Sequence, residues 1–379
     1  MDARKKILII THTMYIDDEY VNGPADTIKE YFLKYKTDVD ILFISLSMSN
    51  GGFNIIESHI NGDRKQLVKK PTFASKMVFK YFTDLFFVLK NVKAKNVDIA
   101  IAADPLNYMY ISILGPFAKI NRKYYYSLDY APERFNNGIL NFLYHKLDYF
   151  AAVSSDICMN AAIKISDIRK KQGVKAEKIV YIPNGPLVEF AEKSFIYPKK
   201  QIKLVIVFST YNDIDFNFMF KSVELIAEKY KNVRLLLIGK GDIQKRLTML
   251  INDYKVDGFI ELRTTKNHDE TMQLLSDCDF GIEANTQKSS HNEFRDPIKI
   301  REYIAFGMIT ITKSGHAIAD EIISENLGHV TNEPIEFFRL IDSYLQNQEN
   351  IKSMREHVLE YSKKIDKKNI LDKLFVDFC

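Results

Sequence analysis

DPIKIREYIAFG, from Asp296 to Gly307, reads as a short helix with both ends marked. Asp296 suits an N-cap, and Pro297 suits the first helical position, where its missing N–H costs nothing. Gly307 stands where a left-handed residue commonly closes a helix. Ile300, Tyr303 and Ile304 form one apolar face, while Lys299 and Glu302, three apart, share another. The free N–H groups and dipole of a helix start favour an anion, and here a cation and a carboxylate lie beside them. Such a set can hold a phosphate and a sugar hydroxyl. An exposed Lys–Glu pair on an ordinary helix is the equally simple alternative.

Working outward, the chain alternates apolar runs with helical patterns. KKILIITHT (Lys5 to Thr13), DVDILFISL (Asp38 to Leu46), VDIAIAADP (Val97 to Pro105), KYYYSLDY (Lys123 to Tyr130), DYFAAVSSD (Asp148 to Asp156) and KIVYIPNG (Lys178 to Gly185) read as buried strands. A second series begins at KLVIVFS (Lys203 to Ser209) and continues through VRLLLIGKGD (Val233 to Asp242), GFIELRT (Gly258 to Thr264) and DFGIEAN (Asp279 to Asn285). This alternation predicts α/β domains with parallel, doubly wound sheets. Ligands bind such sheets at the carboxyl ends of strands, where Asp104, Asp129, Ser154, Ser155 and Asn184 fall. The expected organisation is a first domain over 1–187, a linker over 188–202 and a second domain over 203–362. A last helix at about 363–379 is expected to return to the first domain. The Gly239-Lys240-Gly241 turn is too short for a dinucleotide fingerprint, which argues against hydride transfer.

Composition narrows the class. The 379 residues are 46% hydrophobic and 27% charged, with a net charge of +4 that is too small to suggest nucleic acid. No apolar run approaches the roughly 20 residues a membrane span needs. MDARKKILII leads straight into a strand pattern, so no cleavable signal is expected. Cys158, Cys278 and Cys379 are few, odd in number and widely spaced, which suggests a reducing cytoplasm and no structural metal.

The P-x-K-x-x-E-Y-x-A-x-G pattern of residues 297–307, followed by MITIT (Met308 to Thr312), resembles the donor-site helix and next strand of GT-B glycosyltransferases, family 4 and its polysaccharide-synthesis relatives in particular. LIGKGD, SDCDFGIEA, SLDYAPERF and IPNG occur in that family's order. The resemblance implies a GT-B fold of two Rossmann-like domains facing a cleft. It implies a hexosyltransferase that moves a sugar from a UDP- or GDP-sugar to a glycan or lipid-linked acceptor, with retention of configuration. An epimerase of the same fold and a non-catalytic sugar-nucleotide-binding subunit remain as alternatives. Glu302 matches the residue that holds the ribose. Gly23, in Asn22-Gly23, matches the glycine loop after the first strand.

The chemistry requires positive charge at a departing diphosphate. Lys299 is the first candidate and Arg295, whose guanidinium can grip two oxygens, the second. Thr264 and Thr265 follow the strand expected beside the base. The family's other Glu falls at Phe294, so Glu293 beside it is either a donor-sugar contact or a surface residue. The family's Arg and Lys after the first strand of the second domain are replaced by STYNDIDFNF, where Ser209, Thr210 and Asn212 can bond phosphate without charge. Asp129 is either a catalytic group or a turn cap. Asp104 and His12 also lie at strand ends. No Asp-x-Asp clamp stands at a convincing strand end, so no metal or other cofactor is expected.

Arg64 to Lys95 holds nine Lys or Arg against one acid, Asp84, with many interleaved aromatics. A basic, aromatic helix fits an anionic membrane surface as well as it fits a packed helix with a solvated side. The expected location is the cytoplasm, with peripheral attachment at the inner face of the cytoplasmic membrane.

Overall fold

Continuous Ile, Leu and Val runs cannot leave either face of a strand in water, so these strands need helices on both sides. A computed structural model of the chain has that arrangement, and it describes residues 4–13, 15–16, 19–20, 23–36, 38–48, 52–60, 62–72, 77–93, 95–187, 194–208, 214–239, 243–265, 268–285, 294–315 and 317–376. The chain divides into two compact units, Met1–Pro183 with Lys368–Cys379, and Asn184–Lys367.

In the first unit, strands β1 (Lys5–Thr13), β4 (Val39–Ser47), β5 (Phe53–Ile60), β6 (Asp63–Pro71), β7 (Asn96–Ala103), β8 (Lys119–Ser127), β9 (Ile157–Asn160) and β10 (Ile179–Tyr181) form one sheet. Their order is β10-β9-β8-β7-β1-β4-β5-β6. The pairs are parallel except β4–β5 and β5–β6. The two-residue strands β2 (Tyr15–Ile16) and β3 (Glu19–Tyr20) pair separately. Helices α1 (Pro24–Tyr35), α2 (Met77–Val92), α3 (Pro105–Ile113), α4 (Gly138–Ser154) and α5 (Ile163–Lys171) accompany the sheet. Val88 and Val92 of α2, Tyr108 and Ile111 of α3, and Ala151 and Ala152 of α4 pack into one core with Leu8, Ile10 and Ala100. These three helices therefore cover the same face.

The second unit has strands β11 (Ile202–Phe208), β12 (Val233–Gly239), β13 (Ile260–Arg263), β14 (Phe280–Glu283), β15 (Ile309–Thr312) and β16 (Gly328–Val330). They are all parallel, in the order β13-β12-β11-β14-β15-β16. Helices α6 (Phe216–Lys229), α7 (Ile243–Asp253), α8 (His268–Leu275), α9 (Ile298–Ala305), α10 (Ala317–Ser324), α11 (Pro334–Gln346) and α12 (Gln348–Lys364) accompany it. Helix α13 (Lys367–Leu374) follows, and Phe375 packs on Tyr31, Phe32 and Tyr124 of the first unit.

Three sequence expectations change. DYFAAVSSD is the end of α4, not a strand; the strand is the next segment, β9. Ser154 and Ser155 accordingly bond the carbonyls of Phe150 and Ala152 and close that helix. Arg64–Pro71 belongs to β6, an edge strand whose lysines stand exposed, and among the described residues the helical part of this segment is α2, Met77–Val92. An exposed, lysine-rich edge discourages pairing with another chain. Part of the expected linker is ordered against the second unit: the Arg355 guanidinium stacks 4.1 Å from the Phe195 ring centroid, and its Nη1 donates to Tyr197 Oη at 3.1 Å.

Candidate functional site

Helix α9 is positioned by close packing and buried charge. Ile300, Tyr303 and Ile304 are fully buried, as their spacing predicts. A Cβ on Gly281 would lie 2.3 Å from the Tyr303 ring, so glycine in β14 lets the helix settle onto the sheet. Gly307 takes φ +66° and closes the helix, and its carbonyl accepts from Arg355 Nε at 3.0 Å. At the other end the N-cap is Pro297, without a side-chain cap, rather than Asp296. The Asp296 carboxylate turns inward instead. It accepts from Arg301 Nε at 2.8 Å and from the Asn184 N–H at 2.6 Å. Arg301 also forks onto Glu321 at 2.5 and 2.8 Å, and Tyr361 Oη donates to Glu321 at 2.7 Å. Burial raises the pKa of Asp296 above the usual carboxylate range, although Arg301 and the Asn184 N–H oppose this. For Glu321 burial acts in the same sense, but Arg301 and Tyr361 outweigh it and hold the carboxyl below its ordinary value.

This frame presents the predicted donor residues. Glu302 is buried, and its Oε1 meets His268 Nε2 at 2.7 Å. Its other carboxylate oxygen takes no hydrogen bond among the described residues. Lys299 is half-buried and Arg295 exposed, and among the described residues neither has an ion-pair or hydrogen-bond partner. A cationic helix start and a carboxylate with one free oxygen can bind an anion next to a vicinal diol. Thr264 is exposed at the end of β13, and Thr265 shares a 2.8 Å hydrogen bond with Thr271. Ser209, Thr210, Asn212 and Glu293 lie outside the described residues. His268 was not singled out by the sequence. It precedes Glu302 by 34 positions, and only the fold brings α8 to α9.

Lys313, also unpredicted, follows β15 and bonds Asp215 at 2.6 Å, while Asp215 caps α6 through the Phe218 N–H. The pKa of Asp215 is lowered: burial would raise it, but the Lys313 hydrogen bond and the Phe218 N–H prevail. No group of three or more His, Cys, Asp or Glu among the described residues is arranged to hold a metal ion.

In the first unit the strand ends carry the remaining candidates. The Asp129 carboxylate, 45% exposed, takes Arg134 Nη1 at 2.7 Å. His12, near the carboxyl end of β1, meets Asp104, just after β7, through its Nδ1. The Gly23 N–H is donated to Asp26 Oδ2 at 2.8 Å, closing a capping box, and Asp26 lies near Lys29 at 3.4 Å. A phosphate at that helix start would have to displace a carboxylate, so the sequence's offer of this N–H to a ligand loses its main support. Cys158 and Cys278 are buried thiols, pushed up by burial to about 11 and about 12 respectively, so neither is a ready nucleophile.

No family model and no curated protein sequence matches the chain. Solved structures do. A sucrose-phosphate synthase from Thermosynechococcus elongatus is 12% identical with a TM-score of 0.65, covering 99% of both chains. WaaG, a glycosyltransferase involved in lipopolysaccharide biosynthesis, is 13% identical with a TM-score of 0.60, over 97% of this chain and 98% of that one. The pneumococcal O-GlcNAc transferase GtfA, solved with UDP and GlcNAc, is 12% identical with a TM-score of 0.64, over 99% and 98%. At these identities the likeness establishes the fold, and the chain has the two Rossmann-like domains of GT-B proteins, as the resemblance implied.

Proposed function

We propose that the chain is a glycosyltransferase that moves a hexosyl group from a UDP- or GDP-sugar to a glycan or lipid-linked acceptor. The observation that carries this reading is the arrangement on and beside α9. Glu302 keeps one carboxylate oxygen unbonded among the described residues, and Lys299 and Arg295 near the helix start have no protein partners there. The ribose diol would bond Glu302, and the diphosphate would meet the two cations and the helix N–H groups. The GT-B likeness, which includes proteins solved with UDP, supports the same assignment. Retention of configuration follows only from the family resemblance.

Titration with UDP-, GDP- and dTDP-sugars, followed by turnover with an acceptor panel, tests the proposal. Transfer supports it. Change of the free sugar nucleotide would point to an epimerase, and binding without turnover to a non-catalytic subunit. Protein cations and helix N–H groups would stabilise the leaving diphosphate, so transfer should persist in EDTA. Abolition by EDTA with recovery on Mn²⁺ or Mg²⁺ would contradict that part.

The acceptor side of the proposal is a peripheral location on an anionic membrane in the cytoplasm. Among the described residues no helix is long and apolar enough to cross a bilayer. The outward side of α2 instead exposes Phe79, Phe82 and Phe86 at 65%, 59% and 68%. Helix α4, on the same face of the sheet, exposes Ile139, Phe142 and Leu143. Lys90 and Lys93 are exposed near the end of α2, and Lys69 and Lys70 on β6. Exposed aromatics together with cations suit an anionic interface.

A further inference from the structure

At one edge of the second unit, α11 and α12 are joined by a single residue. Asn347 ends α11 and caps α12 by accepting the Glu349 N–H at 3.2 Å. Strand β16 ends the sheet on this side. A groove of about 530 Å³ is lined by residues of β16 and both helices. Small ligands are commonly held in spaces of roughly 300–1,000 Å³. Every lining residue belongs to the second unit, and none is on α8 or α9.

The lining is polar without being charged. Asn350, Ser353 and His357 are spaced three and four apart and therefore share one face of α12. Seven of the 17 residues of α12 are Lys, Arg or Glu, yet none of these lines the groove. Tyr344 of α11 and His329 of β16 complete it, with Tyr344 Oη and His329 Nε2 2.8 Å apart. The Tyr344 ring also meets the buried Phe280 edge-on at 5.4 Å, which holds it in place. Burial lowers the pKa of His329 and raises that of Tyr344, so both rings are neutral near physiological pH. Asp342, two positions before Tyr344, is committed to Lys229 and Tyr230.

Donors and acceptors stand open on this surface. The Glu325 carbonyl accepts from His357 Nε2 at 2.8 Å, so Nδ1 of the neutral ring is left to accept. The Asn350 amide and the Ser353 hydroxyl are exposed and take no hydrogen bond among the described residues. Each offers both a donor and an acceptor. Met354 and the Tyr344 ring add apolar surface. A phosphate or carboxylate ligand would need a cation, and no Lys or Arg lines the groove among the described residues. An apolar ligand would strip water from these polar groups without replacing it. A pyranose meets both requirements. Its hydroxyls donate and accept around the rim, and its ring C–H groups can rest on aromatic and thioether surface.

We propose that this groove is a second saccharide site, which holds an uncharged stretch of glycan on the second unit apart from the donor residues. The assignment goes beyond the transferase reading and does not require it. In a transferase, such a site raises the local concentration of the acceptor or product chain.

Calorimetric titration of the full chain with maltohexaose, cellohexaose and chitohexaose tests this, with UDP, GDP and dTDP titrated alongside. At least one hexamer should bind. Asn350→Leu combined with Ser353→Leu removes two polar contacts and fills the groove. It should weaken that hexamer by about 10-fold or more, the scale of two lost neutral hydrogen bonds. His357→Ala, a milder change at an exposed position, should weaken it by about threefold. Nucleotide affinity should stay within about twofold in all of these variants, because distant sites with no shared residue act independently. A parent that binds none of the hexamers would overturn the proposal. So would unchanged hexamer binding in both variants, since the sugar would then lie elsewhere. Tighter binding of hexagalacturonate than of every neutral hexamer would overturn the uncharged ligand class. Groove-dependent hexamer binding by a chain that binds no nucleotide would uphold this site and remove the donor reading.

Discussion

At the scale of single residues, Glu302 links the sequence pattern to a chemical role. Its carboxylate is buried beside an exposed histidine, with one oxygen free of hydrogen bonds among the described residues. Hydrogen bonds to a charged group contribute about 1.5–3 kcal/mol each. Glu302→Gln should therefore weaken sugar-nucleotide binding by roughly 10- to 100-fold while the far-ultraviolet circular dichroism stays unchanged. Calorimetric titration checks this, and equal affinity in a folded variant would remove the ribose assignment. The pattern P-x-K-x-x-E made Lys299 and Glu302 legible because both lie within one turn of each other. Arg301, between them, read as filler. Its partners Asp296 and Glu321 are five and 20 residues away, and only the folded unit shows that they share its guanidinium. His268 and the His12–Asp104 pair were obscure for the same reason, since their partners lie 34 and 92 residues away.

At the scale of elements, α9 depends on that buried triad more than on its own caps. Removing the arginine leaves two buried carboxylates without their cation, which typically costs about 3–5 kcal/mol. Arg301→Met should lower the unfolding free energy by that much in urea. Replacing all three together, by Arg301→Met, Asp296→Asn and Glu321→Gln, should cost less than the single change because no charge is then left unpaired. A loss below about 1 kcal/mol in the single variant would mean that water or rearrangement satisfies the acids, and α9 would need another anchor. The elements misread in the sequence have equally physical causes. A helix is usually recognised by apolar residues on one face only. Helix α4 buries Ala151 and Ala152 but also exposes Ile139, Leu140, Phe142 and Leu143, so apolar residues surround it and the 3.6-residue period is lost. DYFAAVSSD then looks like a buried strand, although the helix starts far upstream at the Asn137 cap. Strand β6 fails the opposite way. Its residues are charged because it is the sheet's edge, so no apolar alternation marks it.

At the scale of the whole molecule, the parallel strands of the two sheets were the most legible feature, because strands buried on both faces cannot hide their apolar runs. What covers the outside of the first unit was less legible, and it bears on where the protein works. Of the nine cations from Arg64 to Lys95, Lys80 is buried 7% exposed and paired with Asp84, so it cannot reach a lipid surface. Asp84 is further held by Asn54 Nδ2 at 2.9 Å, which makes the pair part of the α2–β5 packing. Lys69, Lys70, Lys90 and Lys93 are exposed and can approach headgroups, each adding about 1 kcal/mol when near an anionic surface. Phe79, Phe82 and Phe86 are spaced three and four apart, so they form one stripe along α2. Cosedimentation with phosphatidylserine-containing vesicles should therefore be strong at low salt and weak at high salt. Changing Lys69, Lys70, Lys90 and Lys93 to Glu should abolish pelleting, and Phe79, Phe82 and Phe86 to Ser should weaken it even at low salt. Both sets should leave sugar-nucleotide binding intact, because Glu302 and Lys299 belong to the second unit. A parent that does not pellet would make this face an ordinary solvated surface. If the aromatic variant pelleted like the parent while the lysine variant did not, attachment would be electrostatic alone, with the stripe left outside the bilayer.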